Sequence, residues 1–336
     1  MTPFDLDTLV PPDLRDAVRA ADPVRDVPPD LDARARQDLA RIVATPPVAA
    51  RSRRLLKFGL AVAAATTAAL AVQAGVVDLW PAGLNLPSGR AYAATPPRLA
   101  ATPMDGDAGT VLHDIAARTA TLPDDVGSGR YAFVETRGWH LWSRIQNDQP
   151  VHSDVVEQRV RSWTADDGSG RTWKRVRVPL HLPDVDDSLR EPGPLMWPLR
   201  SLPADDAGLE RTLAIGHPVE NGPAERLVAV RDAYGQMPLP PAVRAAVLRF
   251  VAATPGIRLA GRVTDRAGRP GIAVSLDSDY SGLPTRYTLI FDERDGRLLG
   301  DEEMLTTTAG KLNVPVPSVI GYTTYVDAHY TDSTRD

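Results

Sequence analysis

The spacing of apolar residues changes character several times along the chain, and each change marks a boundary. Before residue 50 apolar positions are sparse. Leu31, Ala35, Leu39 and Ile42 recur at helical spacing behind Asp30, a residue suited to an N-cap, and predict a helix over 30–43. A shorter helix over 12–21 fits between prolines. Phe58–Val77 then runs 20 residues without a charge. Prolines and glycines break every period from 78 to 104 and predict an extended linker. Helical spacing returns at Val111, Leu112, Ile115 and Ala116, in a helix predicted over 105–122 and closed by Pro123.

After Gly129 the period falls to two. Tyr131, Phe133 and Glu135 alternate with Ala132, Val134 and Thr136. Val155–Trp163 and Arg171–Val178 flank Asp166–Gly170, a turn sequence, and predict a hairpin. Six prolines predict a long loop over 179–203. Helices are predicted over 204–214, 223–234 and 240–253. Alternation resumes at Leu259–Val263, Ile272–Leu276, Tyr287–Phe291, Leu298–Leu299 and Ile320–Val326, with Arg294-Asp295-Gly296 as a turn. Strands joined by short loops, alternating at period two, imply antiparallel pairing with one wet face. Strands, then helices, then strands imply an α+β domain over 105–330.

A helix of 20 residues spans the ~30 Å hydrocarbon layer of a bilayer. Arg51, Arg53, Arg54 and Lys57 precede the 58–77 run, and Asp78 and Trp80 follow it. Three readings fit: a single-pass anchor, a buried helix of a soluble domain, and a cleaved signal. About 50 residues precede the run, far more than a signal's basic leader, and a buried helix leaves the basic cluster without a reason. On the anchor reading, basic residues stay inside. Residues 1–57 then form a cytoplasmic head, 58–77 a transmembrane helix, and 105–330 an extracytoplasmic domain of a cell-membrane protein. The head is too short to bury a core. It is either a solvated tail that sets topology or a helix whose Leu31/Ala35/Leu39/Ile42 stripe docks on a cytosolic partner protein.

Charge and composition remove whole classes of function. The net charge of −5 argues against nucleic acid as a main partner. With no cysteine there is no disulfide, thiolate metal site or cysteine nucleophile. The six histidines are scattered, at 113, 140, 152, 181, 217 and 329, and none makes a zinc-binding pair with a nearby Glu or His. No nucleophile elbow and no phosphate-cradling glycine loop occurs. Asp277 with Asp279, and Glu302 with Glu303, are carboxylate pairs that read as solvated strand ends. No cofactor, no metal and no enzymatic activity are expected.

One constellation stands out. If the 155–178 hairpin turns symmetrically about Gly168, Trp163 faces Trp173, Arg161 faces Arg175 and Arg159 faces Arg177, all six on one side of the sheet. Directly opposed like charges repel. Either acidic neighbours from elsewhere neutralise a solvated face, or guanidiniums stack on the indoles and the face takes an anionic envelope ligand.

Several segments carry a resemblance. The basic-flanked span, Ala93-Ala94-Thr95-Pro96-Pro97, the 240–253 helix, Val263–Arg269, and Phe291-Asp292 through Gly296–Gly300 together resemble a family of uncharacterised single-pass membrane proteins from high-GC Gram-positive bacteria. The resemblance implies a short cytoplasmic head, an exported domain and, because many members accompany sigma-factor genes, a regulatory role. The strand–helix–strand order is also similar to the open, curved antiparallel sheets of lipoprotein-carrier and sigma-regulator sensor domains. The expectation is therefore a non-catalytic binding or sensor domain on a membrane anchor, with a sigma factor as one candidate partner of the head. The alternative is an envelope carrier or scaffold holding a lipid or polymer.

Overall fold

The computed structural model describes residues 95–146, 149–178, 183–312 and 314–335. The predicted head, its Leu31/Ala35/Leu39/Ile42 stripe, the 58–77 span and most of the linker lie outside the described residues.

Among the described residues four α-helices and nine strands build an α+β fold. Helix α1 is Ala108–Thr119. Asp107 sets its start by accepting a 2.9 Å hydrogen bond from the Thr110 amide, so the helix is shorter than the predicted 105–122. Helix α2 is Asp206–Leu213, capped the same way by Asp205. Helices α3 (Pro223–Gln236) and α4 (Pro241–Ala252) each begin on a proline, which loses no hydrogen bond in the first turn.

The strands are β1 (Tyr131–Gln146), β2 (Gln149–Thr164), β3 (Gly170–Arg177), β4 (Asp184–Arg190), β5 (Arg258–Thr264), β6 (Pro270–Ser278), β7 (Thr285–Phe291), β8 (Leu298–Leu305) and β9 (Ser318–Thr331). They form one curved antiparallel sheet ordered β4-β3-β2-β1-β9-β8-β7-β6-β5. The chain starts at the centre and meanders out to β4. It crosses through α2–α4 to the opposite edge and meanders back until β9 closes on β1. Strand β4 corrects the expectation of a structureless loop over 179–203.

The helices cover one face of the β5–β9 wing, here the inner face. Ile272, Val274 and Leu289 of the sheet meet Leu112, Leu209 and Leu248 of the helices in a filled core. Period two sends the intervening residues to the outer face, where two smaller clusters form. Leu99 packs over Val263, Ala273, Ile290 and Leu299. Leu312 and Val314, from the loop before β9, pack on Trp139, Leu305 and Tyr322. Residues 95–102 thus cross the outer face: the Thr95 hydroxyl reaches that of Ser318, and Thr102 pairs with Arg262 on edge strand β5. Gly261 permits that pairing. Its φ is 121°, and a Cβ there would lie 2.3 Å from the Thr102 carbonyl oxygen.

Candidate anion-binding face

The β2–β3 hairpin turns about Asp167 rather than Gly168. The Ala165 and Gly168 amides close the loop onto the Ser169 and Ala165 carbonyls, and the Asp167 carboxylate accepts from the Ser169 amide. Thr164 therefore opposes Gly170. The register differs from the expected one by two residues, so the pairs change but the face does not. Arg161 opposes Trp173, Trp163 opposes Arg171, Arg159 opposes Arg175 and Arg177 opposes Glu157. Of the expected opposed pairs, Trp163/Trp173, Arg161/Arg175 and Arg159/Arg177 do not form. All six residues do share the outer face of the β1–β4 wing.

The acidic neighbours come from both flanking strands. Glu135 on β1 is 5% exposed and lies between two guanidiniums. It accepts from Arg159 at 2.8 and 3.1 Å and from Arg161 at 2.9 Å. Burial pushes its carboxyl up, but those hydrogen bonds outweigh burial and hold it below the usual glutamate range. Asp187 on β4 takes Arg171 in a two-pronged pair at 2.7 and 2.8 Å. Glu157 and Arg177, 3.8 Å apart, are both exposed. Arg175 is exposed and forms no ion pair among the described residues.

The arginines also stack. Arg159 and Arg161 lie 5.9 and 5.6 Å from the Trp173 ring, and Arg171 lies 5.2 Å from Trp163. Trp163 is buried against Phe133, with ring centroids 5.1 Å apart. Trp173 stays partly open. Together Arg161, Trp163, Arg171, Trp173, Leu189 and the 334–335 segment line an open groove of about 610 Å³. Sequence reasoning missed Arg171, which shares the period of Trp173. It also missed Glu135 and Asp187, which only the strand order brings in.

The inner face holds a second polar cluster that the sequence did not announce. Arg231 of α3, buried against the sheet, pairs with Asp301, at 3.4 Å, and with Glu303. Burial pushes the Asp301 carboxyl up to about 6. The Tyr325 hydroxyl donates to Asp301 at 3.1 Å. Beside them the His217 Nδ1 meets Glu225 at 2.6 Å, and its Nε2 lies 3.5 Å from Asp232. Glu302 and Glu303 are therefore not solvated strand ends. They sit inside β8 on opposite faces, Glu302 held by Arg266 and Glu303 by Arg231. His140 lies over Gly138 and Gly321, where a Cβ would come within 2.7 and 3.2 Å of its ring nitrogens. Burial lowers its pKa to about 4 against the pull of Glu303.

Asp277 is shared by Arg258 and Arg286, and Glu302 is covered by Arg266. Neither meets a histidine among the described residues. Among those residues no group of three His, Asp or Glu side chains could hold a metal ion, and no helix is long and apolar enough to cross a membrane.

No family model and no curated protein matches the chain. Among solved structures it is similar to MucB in the Pseudomonas aeruginosa MucA/MucB complex, at 13% identity and a TM-score of 0.25 over 68% of this chain and 59% of that one. MucB in complex with MucA(peri) gives 12%, 0.25, 68% and 58%. MucB alone gives 12%, 0.21, 68% and 60%. The chain thus spans less than two thirds of the length of each.

Proposed function

We propose that this chain is a membrane-tethered, non-catalytic binding protein whose α+β domain takes an anionic ligand on the Arg/Trp face of β1–β4. The observation that carries the reading is the groove of about 610 Å³ floored by Trp163 and Trp173 and flanked by Arg161 and Arg171. Guanidiniums already oriented by Glu135 and Asp187 lose little further freedom on meeting an anion. The 58–77 span anchors the domain, and residues 1–57 carry the Leu31/Ala35/Leu39/Ile42 stripe to a cytosolic partner. The family resemblance makes a sigma factor the first candidate for that partner. The helix–sheet layer is filled by Leu112, Leu209, Leu248 and Ile272, which weighs against cargo carried there.

The test is titration of the full chain, held in neutral-lipid nanodiscs, with soluble polyphosphate and with phosphatidylglycerol vesicles at rising salt. Binding to at least one of them is expected, weakening as salt screens the arginines. Failure to bind either sinks the proposal. For the head, cross-linking in intact cells should recover a cytosolic protein on residues 1–57, and recovery of none removes that half.

A further inference from the structure

We propose that the outer face of β1–β4 docks on the headgroup layer of an anionic lipid bilayer. This rests on reading that face as an anion site and names the source of the anion.

Three observations point to a bilayer rather than a soluble polymer. The first is charge. The outer face of β1–β3 and β9 presents Arg137, Arg159, Arg161, Arg171, Arg175 and Arg177. Against them stand the carboxylates of Glu135, Glu157, Asp187 and Asp327. Positive charge is in surplus, and the exposed members, Arg137, Arg175 and Arg177, lie at the surface where phosphates would meet them.

The second is apolar. Edge strand β4 turns Val185 and Leu189 to the same face, directly opposite Arg175 and Arg171. Val185 is 53% and Leu189 82% exposed. A highly hydrated polyanion gives Leu189 nothing to contact. The boundary between headgroups and acyl chains takes both kinds of side chain at once: guanidinium on phosphate, leucine below it, and tryptophan between.

The third is where the chain enters the domain. Residues 95–102 lie across the outer face, from Ser318 on β9 to Arg262 on β5. The linker that leads back toward the predicted 58–77 span therefore joins the domain on the side that carries the arginines. A domain tethered on that side meets the bilayer with that face, and the tether raises the local concentration of lipid there.

The chain has no cysteine, so Leu189→Cys gives a single labelling site. The full chain carrying an environment-sensitive fluorophore at that position is placed in nanodiscs of phosphatidylcholine alone or with phosphatidylglycerol. The expected result is blue-shifted, brighter emission only with the anionic lipid. In the Arg175→Ala/Arg177→Ala background the docking equilibrium should fall about 25-fold, at about fivefold per arginine lost near a charged surface. Identical emission in both lipids, with polyphosphate binding intact, overturns membrane docking and leaves the anion site standing. Identical emission with no polyphosphate or vesicle binding removes both.

Discussion

Replacing Glu135 by glutamine separates the two jobs its carboxylate does. It keeps the side-chain volume and removes the charge that holds Arg159 and Arg161. Three charge-assisted hydrogen bonds, at 2.8, 3.1 and 2.9 Å, are weakened. Such bonds contribute about 1.5–3 kcal/mol each when desolvated. Here the guanidiniums are 35% and 27% exposed, so water recovers much of the loss. A net cost of about 2 kcal/mol follows, or roughly 4–8 °C in melting temperature for a domain of this size. The opposite change is expected in ligand binding. Stacking on Trp173 still orients Arg159 and Arg161, and Asp187 still holds Arg171. The lost competition from one carboxylate therefore outweighs the lost orientation, and affinity for polyphosphate should rise about fivefold, the equivalent of roughly 1 kcal/mol of Coulomb energy at partial screening. Because the carboxyl is held below the usual glutamate range, its stabilisation is present at neutral pH and is lost as pH falls through its folded-state pKa. The variant and the parent should therefore converge in stability in acid. Urea unfolding and calorimetric titration at two pH values measure both effects. A Glu135→Gln chain that loses stability and binds the anion no more tightly would refute the reasoning, because the arginines would then be structural struts and not a docking surface.

Three further outcomes are expected. His140 titrates near 4 when folded and near 6.5 when unfolded. The unfolded chain then takes up its proton first, and His140 costs stability, up to about 3 kcal/mol, as pH falls from 6.5 to 4. Asp301, raised to about 6, acts in the opposite sense: its charge costs stability as pH rises from 4 to 6. Urea melts should thus show His140→Gln and Asp301→Asn changing the slope of stability against pH with opposite signs; slopes of one sign would contradict the assignment. Arg244, 1% exposed, holds Asp125 at 2.8 and 3.0 Å and the Leu239 and Asp295 carbonyls, each at 3.0 Å. Arg244→Leu should cost about 3 kcal/mol in urea unfolding, with Arg244→Lys recovering little because the fork is lost. Gly296→Ala should cost at least about 2 kcal/mol in melting, since φ is 69° and the new Cβ would sit 2.5 Å from the Thr119 hydroxyl.

Strands whose alternate residues enter a core were legible from sequence, as Ile272, Val274 and Leu276 show. Strand β4 was not. Asp184–Arg190 is exposed along most of its length and is held at the sheet edge by backbone pairing to β3, by the Arg171–Asp187 pair and by the Arg190 side chain on Gly168 and Thr164, so it has no buried apolar period to read. Helix ends shifted by a residue or a few, where a cap such as Asp107 decided them. The shared face of Arg159, Arg161, Trp163, Trp173, Arg175 and Arg177 followed from period two and survived an even register shift. Their partners did not follow. Glu135, which holds Arg159 and Arg161, comes from β1, outside the hairpin, and Asp187, which holds Arg171, comes from a stretch whose prolines predict loop. The Arg231–Asp301–Glu303 cluster was hidden for a similar reason. Charged residues in a helix and a strand look solvated until the sheet order stacks one on the other.

The most direct test places a photoreactive amino acid at Arg177 on the outer face and, separately, at Ile215, which is 57% exposed beside helix α2. Irradiation of intact cells should join an anionic envelope component to the chain at position 177 and not at 215. Capture of that component at 215 alone, or equally at both, would contradict an anion-binding role for the β1–β4 face.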